Sequence, residues 1–463
     1  MRKSLKPLLM ATVTGLALAA GTVAASAESL ADALVSAYRN SHLIEQYRAT
    51  LAAADEDVAG AVAALRPVVD WGLNFETQRC TYQAVSTGCT GDWSDLAATL
   101  SLSIDWTIYD FGRSNLNVGI TKETVLATRE ALRATEQDVL LSAVQAYADA
   151  KAAAEQVAIN ENSVRVISEQ LKAARDRFDV GEVTRTDVSQ AEASLAGARA
   201  SLAAAQGTYK AAREAYKAAI GHYPKGLSRL PKAPTLPKSM DAATTTALRQ
   251  HPSVKQAQHQ AAVADLGVAL ADAQRMPTIS GGATFADPQG VGRSTTLDLT
   301  IGQRIYSGGA ISSARRKAIV QREGARAGLR QAGVAVSQGV ANAYAMIDVY
   351  RAQIRAYDQQ IQAADIAYRG VREEATLGAR TTLDVLDAEQ DLLDARASRI
   401  TAEADLQVAY YQLLSAMGLL TVEDLKLGIP TYDPAAYYNA VQNAPLSVQG
   451  ERLDRVLRAI GKQ

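Results

Sequence analysis

The residues with chemistry in them are few, and most are acidic. Asp384 and Asp387 stand three apart in the run Leu377-Gly378-Ala379-Arg380-Thr381-Thr382-Leu383-Asp384-Val385-Leu386-Asp387-Ala388. On a helix that spacing puts both carboxylates on one face. A pair so placed can solvate a surface, line a polar channel or offer ligands to a divalent cation. One chain supplies only these two, too few for a closed oxygen shell. A related run, Val180-Gly181-Glu182-Val183-Thr184-Arg185-Thr186-Asp187-Val188, also opens on an apolar residue and a glycine. Elsewhere the material for catalysis is thin. There are four His and two Cys, and His251 and His259 are eight apart, a spacing that suits no zinc site. No phosphate loop, nucleophile–base motif or metal cluster stands out, so no enzyme activity and no cofactor are expected.

What must position these residues is a long helical scaffold. Of the 463 residues, 48% are hydrophobic but only 5% aromatic, so the apolar share is mostly small and aliphatic. That composition suits closely packed helices. A net charge of −1 leaves no basic excess for nucleic acid. Residues 1–27 read as a signal peptide: Arg2, Lys3 and Lys6 precede an apolar stretch, and Ala25-Ser26-Ala27 is a cleavage signal. Cleavage before Glu28 removes those three basic residues and no acid, taking the net charge to −4. No later stretch has the length and apolarity of a membrane helix.

The chain is written twice. A shift of 197 lays Tyr109 on Tyr306, Ala146-Tyr147-Ala148 on Ala343-Tyr344-Ala345, Gly181 on Gly378, Asp187-Val188 on Asp384-Val385, and Gly221 on Gly418. Before Pro67 the better shift is 210, which lays Asp55 on Asp265 and Pro67 on Pro277. The first copy therefore carries a 13-residue insertion between Pro67 and Tyr109. The copies span 28–221 and 241–418. A proline-rich connector, 222–240, joins them, and 419–463 reads as a belt and tail with little regular structure.

Within each copy the order reads helix, strand, strand, very long helix, turn, helix. The helices before Pro67 and Pro277 read as about 25 residues each. Strands fall at about 68–109 and 278–306. The clearest is Ala98, Leu100, Leu102, Ile104, Trp106 and Ile108 alternating with polar residues, a period of two at membrane-spanning length. Proline-free runs at 112–180 and 309–377 read as helices of roughly 100 Å. Val157, Val164, Leu171 and Phe178 mark a seven-residue packing repeat in the first. Gly181 and Gly378 supply the left-handed turn after each long helix.

Four strands with one apolar face cannot close a barrel alone, and an open edge in lipid is forbidden. Other copies of the chain must complete it. With the two glycine-turn runs and the duplication, the chain resembles the TolC family of outer-membrane efflux and secretion proteins over roughly Ser29–Leu427. The resemblance implies an α+β membrane protein. It would be a homotrimer with a 12-stranded β-barrel in the outer membrane, continuous with a long α-helical barrel crossing the periplasm. It also implies a periplasmic adaptor and an inner-membrane transporter, ABC or proton-driven, as partners. On matching positions, Arg380 would latch to Asp187 and Thr186 of a neighbour, and Asp384 and Asp387 would form the pore constriction. The tips at Gly181 and Gly378 would dock the adaptor. Family members often carry Tyr where this chain has Ala375, which removes one bond from that latch. The competing reading is a periplasmic coiled-coil scaffold without a membrane barrel, which has no use for the outward row Leu100, Leu102, Ile104 and Trp106.

Export into an oxidising compartment bears on Cys80 and Cys89, which lie in the insertion between the first two strands. They are expected to pair, closing a short extracellular loop worth about 2–3 kcal/mol on chain-entropy grounds. Non-reducing mass spectrometry of exported protein should find the linked peptide; free thiols at both positions would refute the pairing.

Overall fold

The computed structural model describes residues 27–77, 97–237, 239–288 and 292–444. Most of the signal segment, and Cys80 and Cys89, lie outside the described residues. The chain begins with α1, Leu30–Asn40, and α2, His42–Ala63. Two strands follow, β1, Val68–Glu76, and β2, Ala97–Tyr109. Then come α3, Arg113–Asp179, and α4, Arg185–Ile220. The second half has the same order: α5, Met240–Gln250; α6, Pro252–Ala273; β3, Thr278–Pro288; β4, Ser294–Gly302; α7, Ala310–Thr376; and α8, Thr382–Ala416. A short α9, Pro434–Val441, comes last.

Two details depart from the sequence reading. The helices before Pro67 and Pro277 are each broken in two. Ser41 ends α1 in extended backbone and caps α2, its hydroxyl accepting from the Ile44 N–H. His251 does the same before Pro252, which has no N–H to continue a helix and forces its predecessor out of helical backbone. The C-terminal belt is also less irregular than expected, because Asp433 and Pro434 nucleate α9 as N-cap and first helical residue. Tyr437 then donates to Glu56 Oε1 at 2.6 Å, which fastens the belt to α2.

The four strands form one antiparallel sheet in the order β1-β2-β3-β4. Its register lines up residues of one kind. Val69, Ile104, Ala283 and Leu297 make one row across the sheet, and Val68, Asp105, Gly282 and Asp298 sit in the adjacent one. One face is therefore apolar and the other mostly polar. A Cβ on Gly282 would stand 2.6 Å from Asp298 Oδ1, so a side chain there would have to turn the Asp298 carboxylate aside. Among the described residues no helix covers the apolar face: Trp71 is 75% exposed and Leu297 79%. Among the described residues the outer edges of β1 and β4 have no strand partner.

Each sheet-to-helix passage turns on a glycine in left-handed backbone, Gly112 with φ 83° and Gly309 with φ 89°. Arg113 ties the first passage to the second repeat. Its guanidinium donates to the Ala273 carbonyl and to Thr278 Oγ1, both at 2.9 Å, and to the Met276 carbonyl. The main core lies midway along the helices, around Tyr147, Leu140, Tyr216, Ile347 and Leu413. Tyr147 donates to the backbone carbonyl of Glu28 at 2.9 Å, which fixes the start of the folded chain against α3. A second, smaller core of Ile167, Leu171, Ala174, Ala191, Leu195 and Leu386 holds both hairpins together near their free ends.

A carboxylate is buried beside the main core. Asp55 is fully buried, and neither carboxylate oxygen has a hydrogen-bond partner. Burial pushes its pKa up to about 6, with Arg129 pulling back and Glu56 adding to the rise. A carboxyl raised from 3.8 to about 6 favours the folded state most below 3.8, and that advantage is lost as pH rises to 6. Asp55→Asn is therefore expected to stabilise the solubilised protein by about 1–3 kcal/mol at pH 8. The gain should shrink toward pH 4. Denaturant unfolding at several pH values measures it, and a pH-independent difference would count against this origin.

Candidate functional site

The free ends of the hairpins are built twice from one plan. At the first tip, Gly181 adopts φ 81°. Its N–H donates to the Phe178 carbonyl and that of Glu182 to the Arg177 carbonyl, both at 2.9 Å, which closes α3. Thr184 then caps α4 in a reciprocal box: the Asp187 N–H donates to Thr184 Oγ1, and the Thr184 N–H and hydroxyl donate to Asp187 Oδ2 at 2.8 and 2.7 Å. At the second tip, Gly378 has φ 79°. Thr381 and Asp384 repeat the box, with the N–H and hydroxyl of Thr381 both 2.9 Å from Asp384 Oδ2. These bonds hold the carboxyls of Asp187 and Asp384 below the usual range.

The tips meet. Arg177 Nη1 donates to the Ala375 carbonyl at 3.2 Å across the two hairpins. Arg177, Thr184, Asp187, Gly378, Arg380 and Thr381 share a cleft of about 500 Å³. Arg380 and Asp187 therefore face one space but are not bonded to each other within the chain. Arg380 Nε donates to Glu374 Oε2 at 2.9 Å, and Asp187 is engaged by Thr184. Thr186 is exposed on the first turn of α4. Sequence reasoning noted the missing Tyr at Ala375 and overlooked the tie from Arg177 to its backbone, since a carbonyl leaves no trace in residue type.

Asp384 lies in the first turn of α8, and Asp387 is exposed one turn on. Asp387 opens into a second cleft with Asn160, Ser194, Gln390 and Asp394. Crowded carboxylates would raise one another's pKa. In a single chain the capping bonds dominate instead, and Asp384 is lowered. Among the described residues no group of three or more His, Cys, Asp or Glu could hold a metal ion.

Sequence reasoning missed Glu389. It is 4% exposed, and burial pushes its carboxyl up to about 7, while Arg372 and Arg165 pull back and Glu169 adds to the rise. The signal was available: Glu389 stands four after Val385, three after Leu386 and three before Leu392, all buried, so it lies on the packed face.

Long helical hairpins carrying a sheet with a bare apolar face are the architecture of an outer-membrane channel protein. The family model for outer membrane efflux proteins matches residues 33–222 and 244–419, and the chain belongs to that family. Outer membrane efflux protein BepC of Brucella suis biovar 1 is 34% identical over 454 residues, covering 95% of this chain and 96% of that one. Outer membrane protein TolC of Vibrio cholerae is 26% identical over 425 residues, covering 88% and 95%. The solved CmeC outer membrane channel of Campylobacter jejuni has the same fold, with a TM-score of 0.75 over 92% of this chain and 91% of that one at 16% identity. The protein is an outer-membrane exit duct of the efflux or type I secretion kind, reaching into the periplasm, and its family is one of channels, not enzymes.

The capping boxes give a direct test of the tips. Thr381→Ala removes the hydroxyl bond to Asp384 Oδ2 and the acceptor of the Asp384 N–H, leaves only the residue-381 backbone N–H on the carboxylate, and is expected to speed amide exchange over the first turn of α8. In wild type, acid should do the same once pH falls through the lowered pKa of Asp384. Hydrogen exchange followed by mass spectrometry reads both effects, and unchanged exchange in Thr381→Ala would show that the box does not hold the tip.

Proposed function

We propose that three copies of this chain form a closed duct whose periplasmic mouth is gated at the hairpin tips. The observation that carries this is the sheet. Among the described residues no helix covers its apolar face and neither edge has a strand partner, so it needs lipid against that face and further strands at both edges. Three such sheets give a barrel of 12 strands, and the four long helices of each chain continue it as a tunnel. Outer-membrane lipid surrounds the barrel. The tips around Gly181 and Gly378 are the docking points for a periplasmic adaptor, which connects the duct to an inner-membrane transporter. Cargo selection lies in that transporter, and the duct conducts passively.

At the mouth, Arg380 exchanges its bond to Glu374 for Asp187 and Thr186 of the neighbouring subunit, latching the tips. Each exposed pair is weak, below ~1 kcal/mol. Three symmetric copies bias one gate together. Asp384 and Asp387 ring the constriction, and their potential is focused by low-dielectric walls, so the mouth attracts cations.

Planar-bilayer recording tests the gate. A trivalent cation added on the periplasmic side is expected to block wild type at low concentration, and the variant carrying Asp384→Ala and Asp387→Ala is expected to escape the block. Arg380→Ser should raise single-channel conductance. An unblocked wild type, or equal block of the double variant, would remove Asp384 and Asp387 from the mouth. Unchanged conductance in Arg380→Ser would remove the latch.

A further inference from the structure

We propose that Glu389 is a proton-operated brake on the hairpin-tip gate: its buried side chain is neutral while the two hairpins stay packed, and ionises when they part. The inference rests on the gate reading above. It starts from a placement that packing alone does not require. Glu389 lies on the inward face of α8, five residues after Asp384 and two after Asp387, and its Oε2 has no hydrogen-bond partner. The equivalent residue of the first repeat, Glu192, is half exposed and bonded to Arg175 at 2.5 Å. One plan thus gives a solvated, paired glutamate in one hairpin and a buried, unpaired one in the other.

The groups facing Glu389 come from two other helices. α3 brings Arg165 and Glu169, and α7 brings Tyr368 and Arg372. α4 meets α8 through the apolar contacts of Ala191 and Leu195 with Leu386. Both arginines act on the carboxylate from a distance, and neither bonds to it. Arg165 is held by Glu169 at 3.0 Å and by Asn162 at 2.6 Å, and Arg372 is engaged by the Tyr368 hydroxyl. Glu169 adds a repulsive charge. Ionising Glu389 in the packed state therefore leaves an unpaired buried anion. Parting α8 from α3 would let water in and remove that cost.

The sign follows by linkage. In the packed state the carboxyl is raised from 4.5 to about 7, and hydration returns it toward 4.5. Between those values opening releases a proton, so opening becomes easier as pH rises through that window and levels off above 7. Each pH unit inside the window changes the closed-to-open ratio by up to about tenfold.

The test uses the full-length trimer in planar bilayers, with the periplasmic-side pH varied from 5 to 8. Open probability of wild type is expected to rise about tenfold or more. Glu389→Gln keeps the volume and mimics the neutral form, so it should stay low and flat. Glu192→Gln, the same change at the solvated equivalent position of the first repeat, should retain the rise. Arg372→Gln removes a cation that favours the anion, and should move the midpoint to higher pH. Melting of the Glu389→Gln trimer should be at least as high as wild type at pH 8, which separates a brake from a folding defect. A wild-type pH response in Glu389→Gln, or one abolished by Glu192→Gln, overturns the proposal. Trivalent-cation block at fixed pH reports on the gate separately. If block persists while Glu389→Gln still responds to pH, the brake is wrong and the gate stands. If wild type shows no block, the gate reading falls and the brake with it.

Discussion

A strand in hydrocarbon must pair every backbone N–H and C=O, because no water is there to take them. Among the described residues this chain supplies four strands and leaves two rows of such groups open. Much else follows from that shortfall. In the proposed trimer closure comes from copies, so β2 and β4 must feed their helices in a way that three chains can repeat. The left-handed glycines at 112 and 309 set those exit angles, and Arg113 locks one of them to the neighbouring repeat through three acceptors. Small errors at that joint would be magnified along 67 helical residues before reaching the tips. The bonds of Arg113 at the joint run between the two repeats, whereas at the tips all but the Arg177 tie stay within one hairpin, which fits a structure rigid at one end and movable at the other.

Duplication explains the shared plan, and divergence explains its use. The capping boxes of Thr184 with Asp187 and Thr381 with Asp384 coincide under the 197-residue shift. The residues around them do not. Arg177 in the first copy corresponds to Glu374 in the second, and Val183 corresponds to Arg380. The first tip therefore reaches outward with Arg177 to the other hairpin, while the second satisfies its own charges with Glu374 and Arg380. A shared backbone keeps both turns in shape. The changed charges let the hairpins have different roles.

Much of this was legible before any coordinates. Alternation from Ala98 to Ile108 is visible because a strand with one wet and one apolar face must alternate, and β2 occupies Ala97–Tyr109. The long helices are visible because prolines are absent and glycines bound them. Family membership was readable from the duplicated glycine-turn motif. What stayed hidden has physical reasons. The break at Ser41 depends on one hydroxyl choosing an N–H three residues on, and serine does that only in some contexts. The Arg177 tie ends on a carbonyl, which every residue has. Asp55 and Glu389 look like surface acids in an alternating sequence until packing shows which stripe turns inward.

Asp384 shows why charge and local order at the tip cannot be tuned apart. Its carboxylate accepts the Thr381 N–H and hydroxyl, which satisfies a helix end that would otherwise present bare donors. The same negative charge stands at the positive end of the α8 dipole, where it is stabilised. If three such carboxylates face one mouth, their mutual repulsion pushes protons back on. A protonated Asp384 is a weaker acceptor and a weaker partner for the dipole, so the first turn of α8 loosens as the ring is neutralised. The cap opposes that outcome by holding the pKa of Asp384 down. Two demands then meet on one side chain: the helix end asks for the anion, and the ring asks for its proton. Asp387, one turn further in, is free of the first demand because it caps nothing. The second carboxylate can therefore serve the ring alone while the first preserves the turn.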